Sequence, residues 1–149
     1  MSKINLKHGL WVMVADGEKA LFLKNEGDGL FPNLRLVQEM NQDNPATREQ
    51  GSDSPGRHND GPSAHRSAGE DTDWHRLGKE RFADEIADRL YKLAHHGIFD
   101  EIILIAPPLM LGTMRKKLHK EVSDKVQAEI SKTLTNHAVI DIETMLQAA

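Results

Sequence analysis

The chain of 149 residues has no cysteine. That excludes disulfides, thiolate nucleophiles and Cys-ligated zinc. It also lacks any apolar run near the ~18 residues that a membrane span needs. Lys3 and Lys7 do precede an apolar stretch, Gly9 to Ala15. That stretch is short, stops at Asp16 and offers no cleavage site, so it reads as a strand rather than a signal peptide. The cytoplasm is the expected location. No G-x-S-x-G, P-loop lysine, H-E-x-x-H or strand-borne G-x-G-x-x-G is present, so no familiar nucleophile, phosphate loop or zincin is encoded. An excess of positive charge is missing as well: the net charge is -4 and the pI about 6.0. A nucleic-acid binder that uses its whole surface is excluded, whereas a local basic patch is not.

The largest local deficit is apolar. From Asn41 to Asp73 the only apolar side chains besides proline are Ala46, Ala64 and Ala68. Three arginines there face seven acids, a net of -4, so the rest of the chain is neutral overall. A polar loop at about 41–75 is the expectation, and loops of such length are functional or solvated. Its heart, "SPGRHNDGPSAHRSAGED", spans Ser54 to Asp71. Arg57, His58, His65 and Arg66 offer donors and acid/base groups, and the glycines let a backbone approach a ligand. His58, Asp60 and His65 as metal ligands match no zinc spacing, and no cofactor is expected.

What is present suits one domain over 1–149. Hydrophobic residues make up 38%, within the range of a single globular core. "LWVMVADGEKALFLKN" predicts a hairpin turning at Asp16-Gly17. "LRLVQEM" predicts a third strand, with Leu34, Leu36 and Gln38 alternating against Arg35 and Val37. Phe82, Ile86, Leu90 and Leu93 form one helical stripe, with Ala83, Ala87 and Ala94 beside it. Asp71 or Asp73 is its expected cap, and Gly97 its left-handed stop. His95-His96 at that end suits capping better than metal ligation. Ile102 to Ile105 is an unbroken β-branched and leucine run, expected as a central strand buried on both faces. A second helix opens near Leu109 with Leu111, Met114 and Leu118 inward. Val126 and Ile130, with Val122, fit a third helix at i, i+4, i+8. The tail "HAVIDIETMLQ" reads either as a strand and a helical turn or as one helix from about Val139. The fold class expected is α/β: a mixed β-sheet with an N-terminal antiparallel meander and helices packed on it.

The junction "APPLMLGTMRKKLHK" is the second candidate site. Ligands bind at such strand-to-helix junctions in open sheets, and helix N-termini favour anions. Gly112 permits close packing or close approach. Arg115, Lys116, Lys117, His119 and Lys120 are the most basic run, suited to phosphate contacts. Arg115 lies at the edge of the apolar stripe, placed for a specific contact or for pairing with a nearby acid.

Four stretches together resemble a known family: "VADGEKALFL", "DSPGR", "GIFDEIILIAPPLMLGTMRKKL" and "VQAEISKTLT". They are similar to the bacterial host attachment proteins. The most specific part is Ala106, Pro107, Pro108, Leu111, Gly112, Arg115 and Leu118. That family in turn resembles the central domain of archaeal and eukaryotic peptide-chain release factors. The resemblance implies a mixed sheet with helices and a long loop ahead of the first helix. In release factors that loop carries Gly-Gly-Gln, then Ser-Ala-x-Arg. Here "DGPSAHR" stands in the equivalent place, with Ser63, Ala64 and Arg66 matching the trailing pattern. Asp60, Gly61 and Pro62 replace the tripeptide. Pro62 has no N–H and a fixed φ, and Asp60 adds negative charge, so ester hydrolysis by that route is not expected.

The leading expectation is therefore a binding module contacting the ribosome or RNA through Arg57, Ser63, Arg66, Gly112 and Arg115, without a membrane. The alternatives are a hydrolase using His58 or His65 as base, and an interaction protein acting indirectly in attachment to host cells. Oligomeric state is left open, with exposed apolar residues such as Phe31 able to serve a dimer.

Overall fold

A computed structural model of the chain describes residues 4–42 and 68–148, with side chains of the second span from residue 77 onward. Its strands are β1 (Trp11–Ala15), β2 (Lys19–Asn25), β3 (Leu34–Asn41), β4 (Ile102–Ala106) and β5 (Val126–Ser131). They form one sheet in the order β3-β2-β1-β4-β5. β1–β2 and β2–β3 are antiparallel, and β1–β4 and β4–β5 parallel. The helices are α1 (Ala68–His95), α2 (Pro108–Lys117), α3 (Lys120–Ser123) and α4 (Val139–Ala148). The mixed sheet with an antiparallel meander is the α/β class expected from sequence.

The alternation of side chains builds two cores. Trp11, Met13 and Ala15 of β1 join Phe22 and Leu104 under α1, with Phe82, Ile86 and Leu90 from the helix. Val12 and Val14 join Ile103 and Ile105 on the other face, under Leu6, Leu10, Ile142 and Leu146. Every residue of β1 and β4 is buried, which is why both read as unbroken apolar runs. The β1–β2 turn is set by Asp16. Its Oδ1 accepts from the amides of Glu18 at 2.7 Å and Lys19 at 2.8 Å, the bonds an Asx turn makes. α1 ends as expected at Gly97, φ +68°. There the Gly97 amide donates to Ala94 O and that of Ile98 to Leu93 O, both at 2.9 Å, the paired bonds of a Schellman stop.

Several expectations are corrected. α1 begins at Ala68, so Asp71 and Asp73 lie inside it and neither is its N-cap. β3 runs through Asn41 and α1 covers 68–75, so both ends of the expected loop at 41–75 are regular structure, and its middle lies outside the described residues. In β3 the alternation fails after Leu36. Leu23 pairs with Leu36 but Phe22 with Gln38, so Val37 is a bulge that flips the remaining residues to the other face. Leu36 and Val37 are left about half exposed, at 51% and 49%. The third helix is only α3, and Val126 to Ser131 is strand β5. A shift between Ile102 and Ile103 leaves Gln127 unpaired. Val126 then packs toward α1, while Ala128 and Ile130 pack on the opposite face. β4 lies inside the sheet, but β1 is its middle strand. The tail is a single helix, α4, opening at Val139.

Candidate functional site

The carboxyl ends of β1, β3, β4 and β5 share one edge of the sheet. β1 is followed to one side by β2, and β4 to the other side by α2 and β5. The β1/β4 boundary is thus a topological switch point, where open sheets place ligands. Here the protein fills it with its own side chains. Thr135, 3% exposed, comes from the loop after β5 and crosses the end of β4. Its Oγ1 donates to Asp16 Oδ2 at 2.5 Å. Burial pushes the Asp16 carboxyl up. The Thr135 hydroxyl, the two turn amides and the Lys19 charge together outweigh that and hold it below its ordinary value.

The same edge anchors the chain that joins β3 to α1. Gln42 Nε2 donates to Gly17 O at 2.8 Å, and the Gln42 amide donates to Glu18 O at 2.7 Å. Gly78 of α1 lies beside that side chain: a Cβ there would stand 3.4 Å from Gln42 Oε1. Gly17 abuts the Lys79 stem, 2.8 Å from where its own Cβ would be. Two glycines, one glutamine and one lysine stem thus clamp β3 to α1. The described chain stops at Gln42, beside this clamp, and resumes at Ala68, ten residues ahead of Gly78 in α1. Arg57, His58, Asp60, Ser63, His65 and Arg66 fall between the two, outside the described residues.

The β4–α2 junction is less open to anions than its position suggests. Pro107 is the N-cap and Pro108 opens the helix, with no side-chain cap. Neither has an N–H. Leu111 N already donates to Pro107 O at 2.9 Å, which leaves Leu109 and Met110 as first-turn donors. Leu111 and Met114 are buried as expected, and Leu118 is the half-buried C-cap. Among the described residues Gly112 has no neighbour within 4 Å of a would-be Cβ, so it serves no close packing with them. Arg115 is exposed and paired: Nη2 lies 2.6 Å and Nε 2.8 Å from Glu129 Oε1 on β5. The Glu129 carboxylate raises its already high pKa. Lys117 reaches Asp84 of α1 at 2.9 Å. The basic run of α2 is thus stitched to both neighbours.

Sequence reading missed a ring cluster that straddles α1 and α3. Tyr91 lies 5.4 Å from His95 and 4.4 Å from His119, centroid to centroid. His95 Nδ1 is 3.2 Å from both oxygens of Glu121. His119 Nδ1 accepts the Glu121 amide at 3.0 Å and so caps α3. Tyr91 and His95 stand at i, i+4, a visible signal. His119 arrives only through tertiary packing. His96, by contrast, caps α1 as expected: Nδ1 donates to Lys92 O at 2.8 Å. Among the described residues no group of three His, Asp or Glu could hold a metal. At the opposite edge of the sheet a cleft of about 340 Å³ is lined by Lys7, His8, Lys24 and Glu101, none of them foreseen. Among the described residues no helix is long and apolar enough to cross a membrane.

The sheet order and the helices packed on both faces define a mixed α/β module. The family model for bacterial archaeo-eukaryotic release factor family 12 matches residues 9–146, and the chain belongs to that family. The match supports the release-factor side of the sequence resemblance, not the host-attachment side. No curated protein matches. Among solved structures, an archaeal translation termination factor, aRF1, is similar at 12% identity and a TM-score of 0.47. The similarity covers 93% of this chain and 35% of that one. A structure described as an archaeal protein is similar at 10% identity and a TM-score of 0.47, over 90% of this chain and 35% of its own. The chain thus spans about a third of the length of either.

Proposed function

We propose that the protein is a cytoplasmic binding module that docks on ribosomal RNA, with residues 43–67 as its reaching element. Family membership across 9–146 carries the reading. The clamp at Gly17, Gln42 and Gly78 supports it, because it fixes the residue from which that span departs. Arg57, Ser63 and Arg66 are then the contacts at the tip. Gly112 and Arg115 add a second contact on α2, where Arg115 exchanges Glu129 for a phosphate. Asp60-Gly61-Pro62 in place of Gly-Gly-Gln makes the module a binder rather than a peptidyl-tRNA hydrolase. Cosedimentation with ribosomes tests this. The full chain is expected in the ribosomal pellet at low salt and to be lost as salt rises. Removal of residues 44–67 is expected to weaken pelleting by about tenfold or more, and Arg66→Gln or Arg115→Gln to weaken it several-fold. A chain that stays in the supernatant at every salt concentration overturns the reading.

A further inference from the structure

Tyr91 packs half-buried against the core and His119 caps α3, but the exposed ring faces of the cluster do nothing evident for the fold. His95 and His119 are exposed, and exposed rings add little burial. Yet both are held. Glu121 fixes them together, its carboxylate on His95 and its amide on His119. Tyr91 lies between, at 27° to His95 and 42° to His119. Rings that are already ordered lose little side-chain entropy when a planar ligand lands on them. A ring face takes any base by stacking, which is how proteins grip unpaired nucleotides.

The surroundings supply cations on short tethers. Lys92 pairs with Asp88 at 3.1 Å and Lys120 with Asp124 at 2.9 Å, both exposed helix pairs four residues apart. Such pairs contribute little and exchange readily for a phosphate. Lys116, exposed on the last turn of α2, has no carboxylate within 4.0 Å among the described residues. The carboxylate of Glu121, which touches the rings, is engaged by His95.

We propose that Tyr91, His95 and His119 form a base-stacking subsite for single-stranded RNA, with Lys92, Lys116 and Lys120 on the adjoining phosphates. This deepens the ribosomal-RNA reading and rests on it, but it does not use residues 43–67.

The test is binding of a short single-stranded RNA carrying 2-aminopurine, whose fluorescence falls when it stacks. The full chain is expected to bind and to quench the probe, as is the form lacking residues 44–67. His95→Ala is expected to bind about tenfold more weakly with an unchanged salt dependence, as loss of one stacked base implies. His95→Phe, which keeps a ring without the Glu121 bond, is expected to retain binding and quenching. Lys116→Gln is expected to lower the salt slope by about 0.7, the loss of one phosphate contact on a single strand. The subsite is overturned if the wild type binds without quenching, if His95→Ala matches the wild type, or if His95→Phe loses as much as His95→Ala. It is also overturned if the chain pellets with ribosomes yet ignores the oligomer, an outcome that leaves the ribosomal reading standing. Failure in both assays removes both.

Discussion

On the face toward α1, Trp11, Met13 and Phe22 interdigitate with Phe82, Ile86 and Leu90, and every one of them is buried. On the face toward α4 the core is aliphatic, and the covering pieces are short: the arm through Leu6 and Leu10 and one helix of 10 residues. Those pieces are fastened by buried polar side chains. Asn25, fully buried, donates to Leu6 O at 2.7 Å and Lys7 O at 3.1 Å, and accepts from Gly27 N and Asn33 N. Glu143 of α4 accepts from Leu34 N at 2.7 Å. Thr135 donates to Asp16. Among the described residues the α1 face even leaves Trp11 Nε1 without a partner. A long amphipathic helix buries enough surface to need only outlying ties such as Lys117 to Asp84. A short arm does not, so directional bonds must fix it, and those are costly to break once buried.

Truncation separates the two modes. Phe82→Ala opens a cavity in the middle of the α1 face and is expected to cost about 3–5 kcal/mol. Urea denaturation reads it. A loss near zero would mean that α1 is not seated as described. Asn25→Ala strands the Leu6 carbonyl and the amides of Gly27 and Asn33, leaves Lys7 O with the Leu10 amide alone, and is expected to cost about 3 kcal/mol. Hydrogen exchange localises the effect: the amides of Gly27 and Asn33 should lose protection while those of α1 keep theirs. Uniform loss across both faces would erase the distinction between packed and pinned.

The α1 face was largely legible in the sequence, and the α4 face was not. Phe82, Ile86 and Leu90 announce their stripe within one helix, and Gly97 marks its end. Arg115 was correctly placed at the edge of the α2 stripe. The pins are different in kind. Glu143 and Leu34 are 109 residues apart, and Thr135 and Asp16 are 119. No local period signals such pairs. β5 failed for another reason: Val126 and Ile130 satisfy a helical spacing, and Val126, Ala128 and Ile130 satisfy a strand spacing equally well. Only the open edge of β4 decides between them. Gln38 was misplaced because a one-residue bulge at Val37 inverts every face after it, whereas Leu36 precedes the bulge and keeps the register of Leu34. The ring cluster was half legible, since Tyr91 and His95 share a helix face and His119 does not.

The smallest expected effect is the most diagnostic of a pin. Thr135→Val keeps the shape and removes the hydroxyl from Asp16, at a cost of about 1 kcal/mol near neutral pH. The Asp16 pKa in the folded protein lies below its ordinary value of 3.8. Between the two values the unfolded chain binds a proton that the folded one refuses. Stability from this group is therefore complete above that range and is lost as pH falls through the folded pKa. Without the hydroxyl, the burial that pushes Asp16 up is less opposed, and the folded pKa rises. The variant should then show a shallower loss of stability in acid. The gap between wild type and variant should be widest at neutral pH and close as Asp16 protonates, when urea midpoints are compared along a pH series. A gap that stays constant into acid would show that Thr135 acts through packing alone, with the Asp16 carboxylate playing no part in holding the β5–α4 loop across the end of β4.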